Sequence, residues 1–543
     1  MRRFAETYDG SRFDVVVVGG GISGAAVAYD AASRGLSVAL VEKQDFGCAT
    51  SAATSKLIHG GFRYLANLEF GVVRESLSER RTMSNIAPNF VYPQPVMLTI
   101  YGSKLSDNTR VIKTGMTLYH TLSLDKRSTW DKSKKIPRPK MLKPNDVLRL
   151  EPNVRAEGLR GAGLFYDCIS LCPERLTLAF IKSAVKEGAQ VSNYAKVEGF
   201  LLSGSGRISG VKVRDLIKNR ELEIEGSLVI NCGGPWADMV LNLIDDKTST
   251  KVRRSEGIHV ITRKLVGDHM VSCTSRHGGH FFLIPWRGHT LIGTTDKEYV
   301  GDPDDFKVTR AAIEELLEDV NGGFGLEPLR YEDVLHAYGG LRPLVEDQTK
   351  GTYESSRRYE IYDNAKDGFE GLITVAGGKY TTSRSLAENA MEMVAKKLDR
   401  DLGKCLTAKR HLAGCEIKDI NAFVDGIKSE NKDLNERTLD WLGRQYGTEY
   451  QKLIDIAREN MSLAEPLDAD GEIPAQVVYG IREEMALALK DIFFRRTGLG
   501  TLGDPGDEVI NKVADLASTE LGWDEARKGR EVSQVKQALR IPE

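Results

Sequence analysis

The sequence predicts an α/β protein in which a nucleotide-binding domain is interrupted by an antiparallel sheet and followed by an all-helical tail. Three observations carry that reading. Asp14 to Val18 is an apolar, β-branched run that enters a glycine-rich turn and an apolar helix; Lys251 to Glu298 contains short alternating runs; and after about Lys404 the apolar residues recur at helical spacing.

The first element sets the class. Asp14-Val15-Val16-Val17-Val18 suits a buried parallel strand, and Gly19, Gly21 and Gly24, with Gly20, Ile22 and Ser23 between them, fill a G-x-G-x-x-G pattern. The first glycine permits a sharp turn, the second lets the backbone approach a pyrophosphate, and the third lets the following helix pack on the strand. That helix, Ala25 to Arg34, aims its positive N-terminal end at the phosphates. Gly35 stops it, Leu36 to Val41 forms the second strand, and Glu42, with Lys43 beside it, supplies a carboxylate for the ribose hydroxyls. The unit is Rossmann-like. Its acid favours FAD or NAD over NADP, and the residues do not separate those two.

Further strands are expected at Ala189 to Val197, Gly210 to Arg214 and Ser227 to Asn231, the last entering Cys232-Gly233-Gly234-Pro235-Trp236 and returning the chain to the nucleotide domain. Gly257 to Ile261, His280 to Trp286 and Thr290 to Asp296 read as antiparallel strands of an inserted substrate domain. Gly371 to Ala376 is another buried strand; it meets Gly377-Gly378-Lys379, and Thr381 or Thr382 is placed to cap the helix Ser383 to Ala395. In the tail, Leu439, Leu442, Tyr446 and Leu453 share one helical period and Ile481, Met485, Leu489 and Ile492 another, with Arg495-Arg496 read as a solvated helix end in preference to a membrane or partner contact. The expected boundaries are 1–90, 186–250 and 351–403 for the nucleotide domain, 91–185 and 251–350 for the substrate domain, and 404–543 for the helical domain.

Composition narrows the class. A 41% hydrophobic and 28% charged chain is ordinary globular protein, and a net charge of −2 gives no global attraction to nucleic acid. Seven scattered cysteines, with no histidine or second pair at zinc spacing near Cys168 and Cys172, read as thiols in a reducing compartment, with no metal site. No apolar run reaches about 18 residues, so the expected location is the cytoplasm or a membrane surface.

The block Ser55-Lys56-Leu57-Ile58-His59-Gly60-Gly61-Phe62-Arg63-Tyr64-Leu65, together with Gly19 to Gly24, Asn231 to Trp236, Gly293-Thr294-Thr295-Asp296, Gly340-Leu341-Arg342-Pro343-Leu344 and Gly377-Gly378-Lys379-Tyr380-Thr381-Thr382, resembles the FAD-dependent, quinone-linked glycerol-3-phosphate dehydrogenases. The resemblance covers nearly the whole chain. It implies an FAD-binding domain of the glutathione-reductase and D-amino-acid-oxidase type, non-covalent FAD, and oxidation of sn-glycerol 3-phosphate to dihydroxyacetone phosphate by hydride transfer from C2 to flavin N5. It also implies electron delivery to a quinone from the inner face of the cytoplasmic membrane. A homodimer stays open, as do oxygen in place of quinone and a same-fold flavin dehydrogenase or oxidase of another hydroxy acid or amine.

The same resemblance implies residue roles. His259 is similar to the family's active-site histidine and is the expected base, with His59 its rival; Arg342 would steady negative charge at C2. Arg63, Tyr64, Arg342, Arg357 and Lys379 would converge on the phosphate, which carries about −1.5 to −2 near neutral pH. Arg357 is preferred to Arg358 because Tyr359 then keeps its register. Beyond the fingerprint, Glu42 and Lys43, the cofactor would meet Thr50, Ser51, Ser55, Lys56, Leu57, His59, Val197, Gly377, Gly378, Lys379, Thr381 and Thr382.

Overall fold

A computed structural model describes residues 1–65, 67–102, 108–123, 128–245, 252–274, 280–325, 327–345 and 358–543. The β-branched run at the N-terminus becomes the strand Phe13–Val18, which lies parallel between Val38–Val41 and Arg220–Asn231; Leu372–Gly377 and Gln190–Ser192 extend the parallel set on either side. Tyr359–Asp363 adds an antiparallel edge. Helices Ile22–Ser33, Pro173–Lys186 and Ser383–Leu398 bury one face of this sheet through Val15, Val17, Leu40, Ile230 and Ile373. Removing such apolar surface from water supplies the main driving force for the layer.

The strand expected over Ala189 to Val197 is two strands. Gln190–Ser192 stays in the parallel sheet, whereas Ala195–Leu202 joins Ile208–Asp215 in an antiparallel ribbon on the other face. The chain changes sheets at Asn193 and Tyr194, where Tyr194 takes the left-handed φ of +51°. A second sheet of ten strands carries the inserted domain, with Val252–Thr262 central between His289–Gly293 and Val334–Val345. It is mixed rather than purely antiparallel, because Met270–Thr274 runs parallel to Val91–Ile100. Leu57–Ile58 pairs with Gly161–Ser170 in this sheet, so the chain enters it directly from the nucleotide-binding segment.

The tail is helical throughout its regular parts, from Ile420–Glu430 to Glu525–Leu539. Two expected periods break. Glu436–Tyr446 and Tyr450–Glu459 are separate helices, and Pro474–Glu484 stops at Met485, whose φ of +56° turns the chain before Leu489–Asp491 and the wide turn Ile492–Arg496. That turn drives Arg495 and Arg496 inward, which overturns their reading as a solvated helix end. Arg496 is 0% exposed and donates both terminal nitrogens to Asp45, at 2.7 and 2.8 Å, while Arg495 donates to Asp45 at 2.5 Å and to Asp491 at 2.6 Å. Arg175 grips Glu484 at 3.0 and 2.9 Å and the Arg496 carbonyl at 3.0 Å. All seven cysteines are free thiols, and no helix among the described residues is long and apolar enough to cross a membrane.

Breaking one partner of a buried pair strands the other, at a cost of about 3–5 kcal/mol. Asp45→Ala, which leaves the buried Arg496 and the partly buried Arg495 without their shared carboxylate, is therefore expected to lower stability by about that amount in chemical denaturation. A loss under about 1 kcal/mol, the range of an exposed pair, would show that the cluster does not hold the tail to the sheet.

Candidate active site

The carboxyl ends of four of the parallel strands open into one cavity of about 2410 Å³. Gly19, Gly21, Ile22 and Ser23 line it after the first strand, Glu42 and Lys43 after the second, Cys232 to Trp236 after the third, and Gly377 and Gly378 after the fourth. Ligands of open α/β sheets bind at such carboxyl ends. The glycines differ in what they face. A Cβ on Gly24 would lie 1.9 Å from the Gly19 carbonyl oxygen and one on Gly19 2.6 Å from that of Cys232, so both are packing positions. One on Gly21 would meet only Ser51 Oγ, at 3.1 Å. Gly21 thus leaves its face open to the cavity at the start of a helix with no acid in its first turn and no side-chain cap from the residue before it.

Around this turn the other expected cofactor residues divide. Ser51 Oγ accepts the Ile22 N–H at 2.9 Å, and Thr50 donates to the Leu341 carbonyl at 2.6 Å. Glu42 accepts the N–H groups of Gly20, at 2.6 Å, and Gln44, at 2.7 Å; burial raises its pKa and these bonds oppose the rise. Gly20 itself packs on Phe46 and Glu42 rather than on the cavity. Lys43 ion-pairs with Asp304 at 2.6 Å and lies 4.2 Å from the Trp236 ring centroid, while Trp236 also donates to Asp304 at 2.9 Å. Val197, Ser55, Leu57, His59 and Thr381 line the cavity as well, with Thr381 Oγ1 accepting the His59 N–H at 3.2 Å.

Two expectations fail on geometry. The Lys56 side chain turns away from the cavity into a buried ion pair with Glu174, since Lys56 takes a φ of +59°. Thr382 sits at the N-cap of Ser383–Leu398 but makes no capping bond; its hydroxyl turns to the Lys379 carbonyl at 3.4 Å, and it does not line the cavity. Neither it nor Thr381 caps that helix.

At the other end of the cavity the basic residues form two groups. Arg63, on the turn Phe62–Leu65, donates to the Tyr64 hydroxyl at 3.2 Å; Lys379 lies 4.7 Å from the Tyr64 ring centroid and donates to Ser76 Oγ at 2.5 Å. Burial, with Arg63 adding to it, pushes the Lys379 pKa down to about 8, while Glu75, Glu69 and Asp167 hold it up. Arg342 belongs to the second group. Its guanidinium donates to Ser255 Oγ and the Glu256 carbonyl, both at 3.2 Å, to Thr294 Oγ1 at 2.5 Å and to the Thr295 carbonyl at 3.0 Å. Gly257 makes room for it, because a Cβ there would lie 1.9 Å from Arg342 Nη2. Arg357 lies outside the described residues; Arg358 is exposed, with Glu69 at 3.8 Å, and does not line the cavity.

His259, in the central strand Val252–Thr262, is 1% exposed at the cavity wall. Its Nε2 shares a hydrogen bond with Ser55 Oγ at 2.8 Å, its ring stacks on Tyr338 with centroids 5.0 Å apart, and Nδ1 has no partner among the described residues. Burial, then the charges of Arg342 and Lys56, pushes its pKa well below 6.5. His59 is pushed to about 4 by burial, against Asp167 and with Lys379, Arg63 and Arg80. Both imidazoles are neutral near pH 7.

An open glycine turn joined to a cavity with neutral imidazoles and clustered cations defines a dinucleotide-dependent enzyme acting on an anionic substrate. The FAD dependent oxidoreductase family matches residues 14–384, and the C-terminal domain of alpha-glycerophosphate oxidase matches residues 405–528. The aerobic glycerol-3-phosphate dehydrogenase of Staphylococcus aureus (strain USA300) is 32% identical over 97% of this chain and 94% of its own. The glycerol-3-phosphate dehydrogenase from Bacillus halodurans, solved with FAD, superposes with a TM-score of 0.78 at 28% identity, over 97% of this chain and 95% of its own. The L-alpha-glycerophosphate oxidase of Mycoplasma pneumoniae, at 18% identity and a TM-score of 0.52 over 71% of this chain and 95% of its own, shares the fold. The chain belongs to the FAD dependent oxidoreductases, in the branch of the aerobic glycerol-3-phosphate dehydrogenases.

FAD fits the residues present: Gly21 is open where a pyrophosphate must approach, and Glu42 borders the same cavity. Sequence reasoning missed the Lys43–Asp304–Trp236 contact, Ser76 beneath Lys379 and Tyr338 beneath His259. Thr294 and Trp236 stood in recognised motifs, whereas Asp304, Ser76 and Tyr338 carry no local signal.

The two kinds of glycine separate by experiment. Gly21→Ala is expected to leave the fold intact and weaken FAD binding at least about tenfold, about 1.4 kcal/mol, whereas Gly24→Ala should lower the melting temperature of the FAD-free protein itself. Equal FAD affinity in Gly21→Ala and wild type, by titration of the apoprotein, would remove the pyrophosphate from that turn.

Proposed function

We propose that this enzyme oxidises sn-glycerol 3-phosphate at C2 to dihydroxyacetone phosphate and passes the electrons to a quinone. The observation that carries the reading is the shared cavity: Arg63, Tyr64 and Lys379 converge at one end, His259 and Arg342 lie in the wall, and the dinucleotide turns open at the other. Identity with the S. aureus enzyme over nearly the full chain supports the substrate. Bound FAD supplies the acceptor for the hydride from C2.

The protein's own groups do the rest. Arg63 and Lys379 bind the phosphate as a fork and a point charge, and Tyr64 adds a hydroxyl. The resemblance names Arg357 as a further phosphate ligand. His259 accepts the C2 hydroxyl proton as a neutral imidazole, with Ser55 holding Nε2 in the ring's present orientation. Arg342, pinned by four acceptors, presents a fixed positive charge to the developing alkoxide without reorganising. His59, lying between Thr381 and the phosphate cations, serves the cofactor side.

Exposed apolar side chains at Leu68, Phe70, Val111 and Leu118 border this same cavity, beside the exposed Arg110. An apolar rim with a cation suits the boundary of a lipid layer, the medium in which a quinone dissolves. Docking to the inner face of the cytoplasmic membrane follows from that reading.

Anaerobic addition of glycerol 3-phosphate to the purified holoenzyme should bleach the flavin absorbance, and a quinone analogue should restore it. Flavin that stays oxidised at saturating substrate rejects the proposal; rapid recovery in air alone assigns an oxidase. Arg342→Ala should retain FAD and lose bleaching, and His259→Asn should slow it by about 10²–10⁴. Because His259 titrates well below 6.5, kcat at saturating substrate should stay level through pH 6.5 and fall only at more acid pH. A fall centred at or above 6.5 would point to a different base.

A further inference from the structure

We propose that Asp167 is a positioning residue for phosphate recognition: it holds the Gly60-Gly61 turn so that Arg63 and Tyr64 stand against Lys379, and it lends that lysine a countercharge. The inference rests on the phosphate reading of this end of the cavity. Asp167 lies on the strand Gly161–Ser170, is buried, and borders the cavity. No family motif quoted for the chain contains it.

Its carboxylate gathers three separate elements. Oδ1 accepts the Gly60 N–H at 3.0 Å, Arg80 Nη1 at 2.6 Å from helix Phe70–Ile86, and the Tyr119 hydroxyl at 3.0 Å from helix Thr109–Leu122; the same hydroxyl lies 2.8 Å from Oδ2. Gly60 is pressed against the same partners, since a Cβ there would lie 2.3 Å from Leu77 Cδ2 and 2.4 Å from the Tyr119 hydroxyl. The next residue continues the chain of contacts. Gly61 turns with a φ of +74°, and a Cβ on it would lie 2.4 Å from the Tyr64 ring and 3.7 Å from Lys379 Nζ. A shift at Asp167 is thus passed through two side-chain-less residues to the phosphate ligands. Close packing leaves no slack to absorb it.

The charge works in parallel with the geometry. Lys379 faces Glu75 and Glu69, which hold its proton, Arg63, which opposes it, Ser76, to which it donates, and Asp167, which again holds the proton. With its pKa already down to about 8, Lys379 loses its charge just above physiological pH, and phosphate affinity should fall there. Removing the negative charge of Asp167 moves that loss to lower pH, because one of the three anions that keep the ammonium is gone.

Two variants separate the roles. Asp167→Asn keeps an acceptor and removes the charge; Tyr119→Phe keeps the charge and removes one donor to the carboxylate. In steady-state assays the wild-type KM for glycerol 3-phosphate should rise above about pH 8. In Asp167→Asn the rise should begin at lower pH, with KM at neutral pH up by about 10- to 100-fold, the scale of a misplacement of about 1 Å, and with kcat changed less. Tyr119→Phe should raise KM without moving its pH dependence, and inorganic phosphate as a competitive inhibitor should follow both patterns. A KM–pH curve for Asp167→Asn superimposable on the wild type overturns the proposal. Should that variant fail to accumulate as holoenzyme, Tyr119→Phe decides, and an unchanged KM there overturns the positioning role. Failure of glycerol 3-phosphate to bleach the wild-type flavin is a different result, visible before any variant is made, and sinks the functional reading instead.

Discussion

The contact on which the rest of the architecture depends is the buried pairing of Asp45 with Arg495 and Arg496. Asp45 lies three residues beyond Glu42, in the segment that carries the chain from the second parallel strand to Ser51 under the helix Ile22–Ser33. Burial raises the cost of its charge, yet Arg496 and then Arg495 hold its pKa well below the carboxylate range. Asn193 donates to it at 3.0 Å and also to the Met485 carbonyl at 3.0 Å, so the same point fixes the change of sheet at Tyr194 and the end of helix Pro474–Glu484. A helical domain that contributes no residue to the cavity therefore shapes the loop that borders it. Nearby, Arg175 and Lys182 share Glu484, whose pKa falls to about 2, and add a second charged anchor across the same interface.

The cavity shows the opposite electrostatic arrangement. Burial, with the neighbouring cations adding to it, lowers the pKa of the basic groups there: His59 to about 4, His259 well below 6.5 and Lys379 to about 8. Such a site is costly without an anion and relieved by one. A dianionic phosphate between Arg63 and Lys379 offsets their mutual repulsion and favours the ammonium form of Lys379. A monoanionic carboxylate supplies only about half that charge. Neutrality at His259 follows first from its burial, to which the charges of Arg342 and Lys56 add.

What the residues revealed unaided was local. Asp14 to Glu42 declares its strand, turn and helix because every requirement, from the apolar run to Gly24 against Gly19, lies within about 30 residues. Convergence was less visible. The pairing of Leu57–Ile58 with Gly161–Ser170, and of Ser55 with His259, joins positions 100 to 200 apart, and no periodicity encodes them. Arg495 and Arg496 were misread for the same reason. A doubled arginine at a helix end is ordinarily solvated, and only the turn after Met485 and a carboxylate some 450 positions earlier reverse that. Thr382 failed differently: its position at the helix start was legible, but the preceding 3₁₀ turn Tyr380–Thr382 sends its hydroxyl back to Lys379.

The stretch from Ser55 to Tyr64 joins these themes, because nearly every residue answers to a different part of the molecule. Ser55 bonds His259 of the inserted sheet, Lys56 turns to Glu174 at the start of helix Pro173–Lys186, His59 is held by Thr381 after the last parallel strand, Gly60 by Asp167, and Tyr64 lies under Lys379. The left-handed φ of Lys56 goes with a side chain turned to the interior, while Ser55 before it and Leu57 after it face the cavity. The two ends of the stretch reach different groups, His259 at one and the Arg63, Tyr64 and Lys379 cluster at the other. Ser55 is tied to His259 and Gly60 to Asp167, two residues of the same ten-stranded sheet, so both ends of the segment are anchored to one frame.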